Sequence, residues 1–214
     1  MKALVSIGAT SVGLGLMIAA MGFVPWVHMD VAFGASVVSS SHIGLLSLAV
    51  PKNDLFPFPF SVSLKEYTSF ADSAGPSLGS QPSLQPLVDY GALAFAGLTL
   101  SCLLSGLALL AAALLALLPP SGSPLLARAA KSGVLVSLLG MVAALGSVLV
   151  WLLVAINGLS YAWGPGPWLV VTAVAFQFLA FISLASAIRS SHSPHHSYDS
   201  LIARQSGPTN YTLR

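Results

Sequence analysis

Few side chains in this sequence are of types that do chemistry, and they are dispersed. His28 and His42 can face each other if the intervening chain turns back as a hairpin. Two imidazoles alone make a poor zinc site, which normally wants three or four ligands. The HSPHHS stretch at 192–197 lies in a polar tail and reads as solvated chain that picks up metal only adventitiously. The single cysteine, Cys102, stands inside an apolar run; it cannot form an intramolecular disulfide and reads as a small buried hydrophobe. There is no His-Glu-x-x-His pair, no phosphate-binding loop and no Ser-His-Asp arrangement. Ion-coupled transporters and intramembrane enzymes usually carry ionisable groups at membrane depth, and the long apolar segments here contain none. Gln177 is the one strongly polar side chain within them, and it reads as an interhelical hydrogen-bond partner rather than a ligand contact. These residues point to a protein without catalytic activity, cofactor or resident metal.

The C-terminal stretch, residues 191–214, is polar and aperiodic and reads as a disordered cytoplasmic tail. Within it, Tyr198 and Leu201 fit the tyrosine-based sorting pattern read by clathrin adaptors. Asn210-Tyr211-Thr212 is a glycosylation sequon, expected to stay unmodified on the cytoplasmic side.

The elements that must carry these residues are set by composition. The chain has 214 residues, 56% hydrophobic and only 7% charged, with mean hydropathy +0.87. Soluble domains carry about 25% charged residues, so the bilayer is the natural solvent. A formal charge of +2, without any basic patch, gives no footprint for nucleic acid. A membrane-spanning helix needs about 20 mostly apolar residues. Four stretches qualify: 3–24, 90–118, 133–156 and 167–188. Pro119-Pro120 stops the second, Asn157-Gly158 the third, and Pro167 suits the first turn of the fourth. Trp26, Tyr90, Tyr161, Trp163 and Trp168 fall near span ends, where amphipathic rings favour the interface.

Lys2, Arg128, Lys131, Arg189, Arg204 and Arg214 fall on one side of this topology, and only Lys52 and Lys65 on the other. The positive-inside rule then places both termini in the cytoplasm. An inner loop covers 119–132, and two outer loops cover 25–88 and 157–166. The whole of 1–190 reads as one membrane domain. The first stretch also fits a secretory signal cleaved after Ala20, although its apolar run is longer than a usual signal core.

Helices in lipid associate through small residues that let backbones approach. Ser11, Gly15 and Ala19 form such a row in the first span, and Gly97, Ser101 and Ser105 another in the second. Gly140 and Ala144 do so in the third. These rows predict packing within the chain, with dimerisation as the other use.

The first outer loop opens unlike a helix. Val27, Met29, Val31 and Phe33 alternate with His28, Asp30, Ala32 and Gly34; a serine-rich turn follows, then an apolar run from Ile43 to Val50. This predicts a β-hairpin. LFPFPF at 55–60, with Phe56, Phe58 and Phe60, is either an apolar patch for a partner or lipid surface, or packing for the hairpin. Residues 63–75 predict a short helix capped by Ser63 with Glu66 three residues on, followed by a linker through 86.

Pro25-Trp26, the Gly44-Leu45-Leu46 triplet and the Gly-rich entry YAWGPGPW to the fourth span are together similar to motifs of the claudin-like tetraspan superfamily. That superfamily includes claudins, peripheral myelin protein relatives, channel gamma subunits, amastins and Sur7-type proteins. The resemblance implies an all-α membrane protein, a left-handed four-transmembrane-helix bundle, with a small extracellular β-sheet in its first outer loop. Leu46 stands where the family motif has Trp, and the family's loop disulfide is absent. A hairpin alone is marginal in water, so this sheet must be held by the bundle or by a partner. The implied work is lateral assembly, adhesion or membrane organisation at the plasma membrane, with a homo-oligomer or another integral membrane protein as partner. Trp26, Gly44, Leu45, Leu46, Phe56, Phe58 and Phe60 are the candidate interface residues. An accessory subunit of a larger channel, transporter or organelle membrane complex is the alternative, and a small transporter or lipid-handling protein the third reading.

Overall fold

The computed structural model describes residues 2–22, 25–32, 38–52, 57–74, 85–118, 124–155 and 162–191. Its long helices are α1 (Lys2–Gly22), α3 (Gln85–Leu117), α4 (Pro124–Val150) and α5 (Gly166–Ser191), with a short α2 (Leu64–Ala74) before α3. Four helices are long and apolar enough to cross a membrane. Each of them packs on two others, closing the ring α1–α3–α4–α5. Pairing runs antiparallel: Met21 meets Thr99 while Met17 meets Ser101, and Gly97 meets Ser147 while Gly133 meets Ala111. Leucines such as Leu103, Leu107, Leu110, Leu135 and Leu149 point outward, as lipid-facing side chains should.

The predicted spans are all present, with shifted ends. The second begins at Gln85 rather than at residue 90, so the linker is shorter and Pro86 lies in the first helical turn. The third begins at Pro124 rather than 133, which puts Arg128 and Lys131 on the helix instead of in an inner loop. Hydropathy marks only the stretch that sits in hydrocarbon, whereas a helix continues past it for as long as its backbone hydrogen bonds do. α4 ends in a wider π turn, Trp151–Ala155. Pro167 lies in the first turn of α5, as expected. Residues 119–123, Asn157-Gly158, Tyr161 and the tail with Tyr198 and Leu201 lie outside the described residues.

The predicted hairpin is part of a five-stranded antiparallel sheet. Its strands are β1 (Val27–Ala32), β2 (Val38–Ile43), β3 (Ser47–Val50), β4 (Phe60–Ser63) and β5 (Ala162–Trp163), in the order β4-β3-β2-β1-β5. Two corrections follow. Ser39, Ser40 and Ser41 belong to β2 and pair with Val31, Asp30 and Met29, so the serine-rich stretch is strand, not turn. The apolar run from Ile43 is no single strand: β2 ends there, Gly44–Leu46 turn, and β3 starts at Ser47. Ser63 caps α2 as read, its Oγ accepting the Glu66 amide at 3.1 Å. Ser63→Ala should lower the α2 helix content and cost about 1 kcal/mol. Amide hydrogen exchange over 64–74 measures it, and unchanged protection there would remove the cap's role.

Candidate functional site

The sheet sits on one end of the bundle, and the way it is fixed there is the best-defined feature of the molecule. Val27, Ile43, Leu45, Leu48 and Val50 bury one face against the helix ends, with Leu64 of α2 and Leu87 of α3 beneath. At the centre is Trp26, fully buried at 0% exposure. Its indole Nε1 donates to the Ala20 carbonyl at 2.7 Å, satisfying one of the last carbonyls of α1. Its backbone amide donates to Ile43 of β2 at 2.8 Å, and its carbonyl accepts from Gly164 at 2.9 Å. Its ring meets the edge of Trp151 at 4.9 Å between centroids, 72° apart. Gly166, the first residue of α5, lies so close that a Cβ there would come within 2.5 Å of the indole. One side chain thus joins the ends of α1, α4 and α5 to the sheet.

The Gly44-Leu45-Leu46 turn is the second anchor. The Gly44 amide donates to Ser47 at 2.8 Å, and the Leu64 amide donates to Leu46 at 2.9 Å, closing the turn and seating α2. The Leu45 side chain is buried, and its carbonyl stands where a Cβ on Gly91 of α3 would be. This close approach is the reason for glycine at position 91.

Of the candidate interface residues, Trp26 and Leu45 are therefore core and offer no surface; burial against the bundle outweighs any exposure to a partner. Gly44 is half-buried. Leu46, Phe58 and Phe60 are exposed, Phe58 at 77%. Phe56 lies outside the described residues. Trp163 and Trp168 are also exposed and lie against each other at 6.1 Å, in keeping with span-end aromatics. Trp151, Gly91 and Gly166 did not stand out in the sequence. The only signal was the Gly-Pro-Gly-Pro run before the fourth span.

Inside the bundle, the second and third small-residue rows lie at the contact between α3 and α4. Ser101 and Ser105 are buried, and Gly97 lies against Ser147. Ser101 Oγ donates to the Gly140 carbonyl at 2.7 Å, tying α3 to α4, and Ser105 Oγ donates to Ser101 at 2.7 Å. The row in α1 is not used this way. Ser11 and Gly15 are exposed, Ala19 is half-buried, and a Cβ on Gly15 would meet nothing within 4 Å. α1 instead turns Ser6, Ala9, Thr10, Gly13, Met17 and Ala20 inward. Ser6 Oγ donates to the Ala180 carbonyl of α5 at 3.1 Å.

Gln177, 2% exposed, bridges helices: Nε2 donates to Ser105 Oγ at 2.5 Å and approaches the Met17 sulfur at 3.7 Å. Its Oε1 is buried without a hydrogen-bond partner among the described residues. An orphaned acceptor costs about 1–3 kcal/mol, whereas an interhelical side-chain bond in lipid contributes only about 0.6 kcal/mol. Gln177→Met keeps the volume and removes both polar atoms, so it should stabilise the bundle by about 1 kcal/mol. Thermal unfolding in detergent measures this. A loss of stability would mean that Oε1 has a donor in the working protein.

His28 and His42 are register partners across β1 and β2, on the sheet face away from the bundle. Their Nδ1 atoms are 2.6 Å apart and their rings are nearly perpendicular, at 85°. No group of three or more His, Cys, Asp or Glu converges among the described residues. Lys2, Arg128, Lys131 and Arg189 stand on the helix segments remote from the sheet, whereas Lys52, Lys65, Glu66 and Asp89 stand at the sheet end. Comparison with protein-family models and with curated proteins finds no match for this chain.

Proposed function

We propose that this chain is a claudin-like, non-enzymatic four-span protein of the plasma membrane that works by lateral assembly, adhesion or membrane organisation. The observation that carries the reading is the anchored sheet. A water-facing sheet without a disulfide is fixed to the bundle by Trp26 and Leu45, while Leu46, Phe58 and Phe60 are left exposed on it. Apolar residues exposed around the margin of an anchored platform suit contact with another protein. Ser11 and Gly15, exposed on α1 beside the half-buried Ala19, offer a second surface, for a neighbour within the membrane. The charge asymmetry between the two ends of the bundle supports cytoplasmic termini. The accessory-subunit reading uses the same surfaces with a different partner.

The test joins topology with assembly. Tags at each terminus and in the 76–84 linker report access from outside intact cells, and crosslinking then identifies what is attached. An accessible linker, hidden termini and self-crosslinked ladders are expected. The same topology with one large heterologous partner moves the assignment to an accessory subunit. An accessible C-terminus, or a monomer that crosslinks to nothing, overturns both.

A further inference from the structure

We propose that His28 and His42 form a two-point clamp for a borderline divalent cation of the zinc and copper(II) class on the solvent face of the sheet. The pair is built rather than accidental in geometry. The two residues are directly opposite in the β1–β2 register, so their backbones are fixed relative to each other by the ladder on both sides. The neighbouring residues Val27 and Ile43 are buried in the core, which fixes which face the imidazoles occupy. His42 is exposed and His28 half-buried, so a hydrated ion can reach them.

Each ring presents Nδ1 to the other at 2.6 Å. At that distance the contact is attractive only when one Nδ1 carries the hydrogen and the other offers its lone pair. A metal ion takes the place of that hydrogen. Zinc binds imidazole nitrogen at about 2.0–2.1 Å, so two nitrogens on one tetrahedral ion stand roughly 3.3 Å apart. Opening the pair from 2.6 Å to that separation needs only small side-chain rotations on an open face. Imidazole favours zinc, copper and nickel over the hard cations magnesium and calcium. Two protein ligands leave the remaining positions to water or to a donor from another molecule. Affinity is therefore modest, and the bound ion cross-links β1 to β2.

The test uses the full chain with tail residues His192, His195 and His196 replaced by serine. Because the chain has five histidines, this leaves His28 and His42 as its only imidazoles. Copper(II) is the probe, read by electron paramagnetic resonance, with zinc competing. Two coupled imidazole nitrogens are expected, displaced by zinc and not by magnesium. His28→Asn or His42→Asn should weaken binding by roughly tenfold or more. No imidazole nitrogen or only one in the unsubstituted pair, or equal affinity after either substitution, overturns the proposal. The nitrogen count needs no variant of the pair, so a misfolded variant does not obscure the result. Failure here leaves the assembly reading untouched, since that reading rests on Leu46, Phe58 and Phe60.

Discussion

Trp26→Ala should be the most damaging single substitution in the described part of the chain, costing about 3–5 kcal/mol. The indole is wholly buried, packed against the ring of Trp151 and the backbone of Gly166. Its loss also strands the Ala20 carbonyl, which accepts from Nε1. Trp26→Phe separates the two effects. It keeps most of the volume and removes the donor, so it should cost only about 1–2 kcal/mol. Unfolding in detergent, followed by near-ultraviolet circular dichroism, reports both. Equal and small losses for the two variants would show that Trp26 is no anchor. An equally severe loss for both would put the effect on the hydrogen bond rather than on packing.

Gly91→Val should detach the sheet while leaving the four long helices formed. The added Cβ meets the Leu45 carbonyl, a backbone atom that cannot rotate aside. Overpacking of this kind costs about 1–3 kcal/mol, and more where the neighbour is fixed. The local consequence is release of the Gly44–Leu46 turn, so limited proteolysis near Leu45 should accelerate while α-helix content holds. Gly15→Val is the internal control. Its Cβ points into open space, so monomer stability should change little. If Gly15→Val destabilised the monomer as much as Gly91→Val, the inward face assigned to α1 would be wrong.

The spans were legible because a stretch of about 20 apolar residues without a charge has few other uses. Their inward faces were less so. In lipid both sides of a helix are apolar, and the periodicity that separates core from solvent in water carries little information. In α1 the choice among small-residue rows rested on size alone. The row Ser11–Gly15–Ala19 sits two positions round from Ala9–Gly13–Met17, far enough on a helix of about 3.6 residues per turn to face lipid instead.

The sheet was legible in kind and not in extent. Alternation from Val27 gave β1 and the facing histidines, and the Ser63–Glu66 spacing gave α2. Ser39–Ser41 read as turn because serine favours turns, yet here they complete a ladder whose burial is decided by its neighbours. β5 is two residues long and pairs with Val27 and His28 from the far end of the chain, so no local pattern announces it. Trp26 read as a span-end aromatic and a candidate partner contact; that it is core instead is decided by α4 and α5, whose Trp151 and Gly166 close over it.

β5 joins the connection after α4 to the sheet built from the connection after α1. The four long helices are thus bound together at that end like the tines of a fork at the handle. At the tips, α3 and α4 share a chain connection, while α1 and α5 hold each other through Ser6 and Ala180. A force applied to the sheet is therefore delivered to all four helices at once.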